Sequence, residues 1–415
     1  MKHLWILSAA AILIMAFSLT AVADNAGRIY GKITTVDDDV FEGLIRWDKN
    51  EGSWVDVLNG NKELSRRERS GRKKYGDRNR ERSIELFGIT IAKTGGSSWN
   101  FGNVAQSGMR FGHIQSLEVI DDDAARLVLK SGDEIELEGG STDIGTGIRE
   151  ITIEDNDEGE IELVWDDIDR VEFMQGDGSI VSNQGERLYG SLTTRRGDTY
   201  TGFVCWDVDE LFTRDILDGE LKGRKRKIKF GKIKSIERYS SNGATVVLNN
   251  GDELLLRGTN DVDGSNSGII ISDLGFGQVI VKWDEFDRLD FHNEAAPLTY
   301  ADFDGGRKLS GTVFTDDGES YTGLIRWDDD EEYTWEILDG DYRDIEFDIE
   351  FGLIKEIAKK SYRSAIVTVW DGRTFRLRGS NDVDEDNKGI FITTADGEEI
   401  ELDWEEFERV EFSRN

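Results

Sequence analysis

The sequence predicts an all-β chain. It reads as three tandem repeats of short strands with tight 3-10 turns and almost no α-helix after an N-terminal leader. Three observations predict this. Glycine is abundant (46) and proline nearly absent (1) in 415 residues, the balance of many short strands joined by glycine turns. Period-two alternation flanks Gly, Asn and Asp turns in TTRRGDTYTG, VLNNGDELLL and TVWDGRTFRL, which is hairpin grammar. Apolar residues at helical spacing over 11 or more positions, the mark of an amphipathic helix, do not occur in the mature chain.

The leader comes first. Lys2 and His3 precede an apolar run from Leu4 to Phe17, and Ala21-Val22-Ala23 follows. A basic start, an apolar centre and a small-x-small end make residues 1–23 a signal peptide, cleaved after Ala23. The chain is therefore expected outside the cytoplasm, in the periplasm or beyond the cell. The apolar run is shorter than the roughly 20 residues a membrane span needs, and no transmembrane segment is expected in the mature chain. The formal charge of −34, one unit more negative once Lys2 is gone, argues against nucleic acid as a partner. Aromatics at 10% argue for packed cores over disorder. A single cysteine, Cys205, permits no internal disulfide, so stability must come from burial. Cys205 sits in a slot that Arg46 and Arg326 share, which reads as a half-exposed strand position.

The repeats follow from self-similarity. RIYGKITT, RLYGSLTT and KLSGTVFT open at positions 28, 187 and 308. GLIRWD, GFVCWD and GLIRWD follow, then DVLNG, DILDG and EILDG. WDDIDRVEF, WDEFDRLDF and WEEFERVEF close the three copies. The boundaries fall at 24–174, 175–292 and 293–415, with insertions in repeat one over about 61–110. Within each copy an aromatic is followed at steps of three by apolar residues, as in Phe230/Ile233/Ile236 and Trp283/Phe286/Leu289; this suits one tight helical turn leading into a strand. The order of hairpin, strands, tight turn and closing strand in each half resembles SH3-like and Sm-like small barrels of the PRC-barrel type. The resemblance implies topology alone: each repeat is a pair of small barrels or one larger bent-sheet barrel. A half of about 50 residues buries little surface by itself, so the whole repeat is the expected folding unit, and residues 187–291 are expected to fold alone.

Two loops carry the alternating acids of a cation cradle. NDVDEDNKGI at 381–390 offers Asp382, Asp384 and Asp386; NDVDGSNSGI at 260–269 offers Asp261, Asp263 and Ser265. In an extended chain such residues point the same way, and calcium takes six to eight oxygen ligands. The spacing departs from the helix–loop–helix calcium loop, with Asn where its glycine belongs. A second reading needs no metal. Arg257 and Arg378 precede these loops, whereas repeat one has Glu138 and a loop with one acid, Asp143. An arginine bonded to the loop carboxylates would fix the turn. Calcium is thus the one cofactor in view.

Trp47, Trp206 and Trp327 share one slot and Trp165, Trp283 and Trp404 another, as core anchors would. Trp54, Trp99, Trp335 and Trp370 lie outside those slots and are the candidates for a surface platform. Residues 62–82 are basic, with Arg66, Arg67, Arg69, Arg72, Lys73 and Lys74 at their centre. Arg224, Lys225, Arg226 and Lys227 are the counterpart in repeat two, and the counterpart in repeat three, 340–350, is acidic. A solvated loop is one reading. The other is a contact for an anionic envelope polymer, an acidic protein or a second copy of the chain. Catalytic motifs are absent from the sequence, and His113 and His292 share no slot. The expected function is that of an exported, non-enzymatic binding or scaffold module. A calcium-stabilised surface or adhesion protein is the alternative, and a carboxylate-dependent hydrolase of envelope polymers is the second.

Overall fold

The computed structural model describes residues 25–63, 84–86, 89–92, 104–139, 143–176, 182–293 and 298–414. The leader, most of the basic stretch (with Arg66, Arg67, Arg69, Arg72, Lys73 and Lys74) and Trp99 lie outside these residues. The described chain is all-β: antiparallel strands joined by turns, with three-residue 3-10 turns as its only helical elements.

Repeat two shows the plan. The opening strand Tyr189–Thr194 lies between Thr199–Trp206 and the closing strand Phe286–Phe291. Beyond the closing strand come Ile233–Ser240, Gly243–Leu248 and Glu253–Leu256. Beyond Thr199–Trp206 come Ile269–Asp273 and Gly277–Val281. Repeats one and three place their eight equivalent strands in the same order, with Gly31, Gly190 and Gly311 opposite Phe173, Phe291 and Phe412. The closing strand returns between the two halves and pairs with both, so each repeat is one continuous sheet. Glycine is needed on the opening strand because a Cβ there would stand 2.3–2.6 Å from a carbonyl oxygen of the closing strand.

The 3-10 turns Phe111–His113, Phe230–Lys232 and Phe351–Leu353 lead into Ile114–Asp121, Ile233–Ser240 and Ile354–Ser361, where spacing by three predicts them. The shared tryptophans form the cores. Trp47, Trp206 and Trp327 meet Trp165, Trp283 and Trp404 nearly edge-on, with ring centroids 6.3–6.4 Å apart. All six are buried. Trp54 and Trp335 are buried as well, which corrects their reading as surface residues. Trp54 lies against Tyr300 of the linker between repeats two and three, and Trp335 stacks on Tyr333. Trp370 is half-buried, with the Arg414 guanidinium 5.2 Å from its ring centroid.

One hairpin per repeat departs from the common plan. In repeat one Val57–Glu63 and Val104–Arg110 extend the repeat's own sheet through Glu134–Glu138. In repeat two Ile216–Leu221 and Arg224–Lys229 form a separate two-stranded ribbon. In repeat three Ile337–Tyr342 and Ile345–Glu350 add to the sheet of repeat two, with Ile345–Glu350 antiparallel to Gly277–Val281. The sheet of repeat two therefore includes a hairpin of repeat three, while the other strands of repeat three form their own sheet, and the two repeats share one apolar core. A fragment 187–291 would lose that strand cover, and Phe347, which packs on Tyr200 and Phe276. It is expected to melt well below a fragment 187–414 in a calorimetric comparison; equal melting temperatures would show that the shared sheet adds nothing.

Candidate cation pockets and repeat interfaces

A motif not singled out in the sequence, W-D-x-x-E, recurs as Trp47–Glu51, Trp206–Glu210 and Trp327–Glu331. The aspartate and the residue after it have positive φ in all three copies. For Val208, at φ 69, this is a conformation β-branched residues rarely adopt. The left-handed pair reverses the chain, so that the tryptophan and glutamate exchange main-chain hydrogen bonds of 2.8–3.1 Å. The tryptophan N–H donates to the carbonyl of Asp143, Asp261 or Asp382 at 2.9–3.0 Å. Each repeat thus gathers the aspartate and glutamate of its motif beside a second aspartate from the loop.

The second aspartate clamps the neighbouring hairpin: Asp143 accepts the N–H of Asn59 and Asp382 that of Asp339, at 2.8 and 2.9 Å. Asp261 does the same for Asp218. The first aspartate accepts the N–H of Arg149, Ser267 or Lys388. The glutamate is different. Oε2 of Glu51, Glu210 and Glu331 is shielded from solvent and has no hydrogen-bond partner in any repeat. Burial first, and the neighbouring carboxylates next, push these groups up: Glu51 and Glu331 well above the usual range and Glu210 to about 11. Burial likewise raises Asp207 to about 6 and Asp261 to about 7. In repeat three, one oxygen each of Asp328, Glu331 and Asp382 lie within 4.8 Å of one another.

The predicted cradle is therefore divided. Asp261 and Asp382 enter the pockets, but the chain bends immediately after them, and alternation no longer places side chains on one side. Asp263 Oδ1 instead accepts the N–H and hydroxyl of Ser265. Asp384 Oδ1 accepts the N–H of Asp386 at 2.9 Å, and Asp386 is exposed. The arginines also have other partners. Arg257 lies over Tyr239, and Arg378 is 3.5 Å from Asp344.

The first acid of DVLNG, DILDG and EILDG holds the repeats together. Asp56, Asp215 and Glu336 each accept two main-chain N–H groups of their own repeat. Each also binds a cation of another: Arg187 at 2.8 Å, Arg46 at 3.0 Å, and Lys62, which belongs to the predicted basic stretch. Buried Arg110 of repeat one lies 3.2 Å from buried Glu350 of repeat three, whose other oxygen is 3.5 Å from His113. Repeats two and three exchange Arg373–Asp273 and Arg343–Asp198 pairs. Every repeat thus contacts both others. Between repeats one and two a cleft of about 290 Å³ is lined by Glu51, Asp143, Arg149, Asp207 and Cys205. Cys205 is buried, not half-exposed, and burial pushes its thiol well up, against nucleophilic use.

Arg224, Lys225, Arg226 and Lys227 are exposed on the outer strand of the repeat-two ribbon, and that strand has no second neighbour among the described residues. Gly159–Leu163 of repeat one, with Glu160 and Glu162 exposed, is likewise an outer strand. Comparison with protein-family models, characterised proteins and solved structures finds no match for the chain.

Proposed function

We propose that the chain is an exported, non-enzymatic scaffold whose copies join by edge-strand pairing, the ribbon Arg224–Lys229 of one copy adding to the edge Gly159–Leu163 of another. The observation that carries this reading is the junction inside the chain, where the third-repeat strand Ile345–Glu350 adds to the second-repeat strand Gly277–Val281. Arg224–Lys229 is the repeat-two equivalent of the first, and Gly159–Leu163 the repeat-one equivalent of the second. Transferring the observed register puts Lys227 opposite Glu160 and Lys225 opposite Glu162. Opposite charges directly across strands are worth about 0.2–1 kcal/mol each, and an unpaired edge supplies the main-chain donors and acceptors. Joining two different edges is a head-to-tail contact, which builds rings or filaments.

Sedimentation velocity tests this. The wild-type chain should associate at low salt and dissociate at high salt, because exposed ion pairs are screened. Lys225→Glu/Lys227→Glu should remain monomeric, and mixing it with Glu160→Lys/Glu162→Lys should restore association. A monomeric wild type at low salt, or association that depends on residues 64–83 and not on the ribbon, would overturn the reading. Binding of the ribbon to an anionic polymer without self-association would replace the second copy by an envelope polymer.

A further inference from the structure

We infer that repeat three binds a divalent cation of the calcium class between Asp328, Glu331 and Asp382. Two oxygens on one calcium, each about 2.3–2.6 Å from it, can be no more than about 5 Å apart; the three carboxylates meet that limit without rearrangement. Asp328 and Asp382 are 0% and 2% exposed, so water does not compensate them. Glu331 Oε2 has no hydrogen-bond partner, and neither has Oδ1 of neighbouring Asp330, a residue only 7% exposed. Buried polar oxygens are almost always paired, and four carboxylates here face two ammonium groups, Lys388 and Lys62, the latter donating to the main-chain carbonyl of Asp330. Lys388 Nζ is 2.7 Å from Asp328 and 4.0 Å from Asp330. Asp382 keeps one oxygen on the N–H of Asp339, which fixes its orientation as an outer partner does for a metal ligand.

Repetition strengthens the inference. The same glutamate oxygen is orphaned in all three repeats, including Glu51 at 3% exposure. What differs is the residue beside the first aspartate. In repeat one the Arg149 guanidinium lies 3.2–3.3 Å from both oxygens of Asp48, whereas in repeat three the Lys388 ammonium lies 2.7 Å from one oxygen of Asp328. Among the described residues the close convergence of three carboxylates belongs to repeat three. None of this depends on edge pairing.

Trp327, whose indole N–H is 3.0 Å from the Asp382 carbonyl oxygen, offers a direct readout through sensitised terbium luminescence. Terbium added to the full chain should give tryptophan-sensitised emission that calcium displaces, and calcium should raise the melting temperature. Glu331→Gln, which preserves shape, should lose both responses, whereas Glu210→Gln and Lys225→Glu/Lys227→Glu should keep them. A wild type with neither response would overturn the assignment. So would a folded Glu331→Gln variant that keeps them, since the ion would then lie on other acids.

Discussion

In buffer freed of divalent cations, Glu210→Gln is expected to be more stable than the wild-type chain at neutral pH and above. Glu210 lies in the repeat-two pocket with Asp207 and Asp261, where serine occupies the position of Arg149 and Lys388. Burial raises its folded-state pKa from 4.5 to about 11. A carboxyl raised on folding contributes stability that is complete below its unfolded value and is lost as pH rises through the folded one. That window runs from 4.5 to about 11 for Glu210, from 3.8 to about 6 for Asp207 and from 3.8 to about 7 for Asp261. Each group can contribute a slope of up to about 1.4 kcal/mol per pH unit inside its window. Urea unfolding across pH should therefore show wild-type stability falling from mildly acidic to alkaline pH, and a shallower fall in Glu210→Gln. Parallel pH profiles for the two chains would show that the carboxyl ionises freely in the fold.

Arg110→Met should be the most damaging single change at the junction of repeats one and three. It strips the cation from Glu350, which stays buried; breaking a buried pair in this way costs about 3–5 kcal/mol. Glu350→Gln in the same background should recover most of the loss, because the uncompensated charge is then gone. A double variant no better than Arg110→Met would mean that the arginine acts through packing alone. This pair also contributes to the acid limit. Burial by itself would raise Glu350, but Arg110 and then His113 outweigh it and hold the carboxyl below 4.5. A depressed carboxyl contributes stability above its unfolded pKa and loses it as pH falls through the folded value. The acid limb should flatten in Glu350→Gln, while the alkaline limb, to which the raised carboxyls of all three pockets contribute, persists.

Much of this architecture is legible in the sequence because it is set locally. Alternation and glycine turns give strands and hairpins, steps of three give the 3-10 turns, and recurrence at fixed slots identifies Trp47, Trp206, Trp327 and their partners as core. The pocket was half legible. Asp261 and Asp382 stand out as loop acids, but Asp384, Asp386, Asp263 and Ser265 look equivalent to them only while the chain is taken as straight. The signal that would have completed the pocket is W-D-x-x-E in three copies, with a glutamate at its end whose Oε2 is shielded from solvent. Its meaning depends on two successive left-handed residues, a reversal that composition does not announce.

What the tertiary structure alone decided is where edges and long-range charges go. Arg224–Lys229 and Ile345–Glu350 are equivalent strands, yet one remains an outer edge and the other joins a neighbouring sheet. Strand pairing uses main-chain groups that every sequence carries, so the partner is chosen by docking and by charges far apart in the chain. Trp54 and Trp335 are buried for the same reason: contacts formed when linker and repeats pack cover them, and no pattern around either residue encodes that cover.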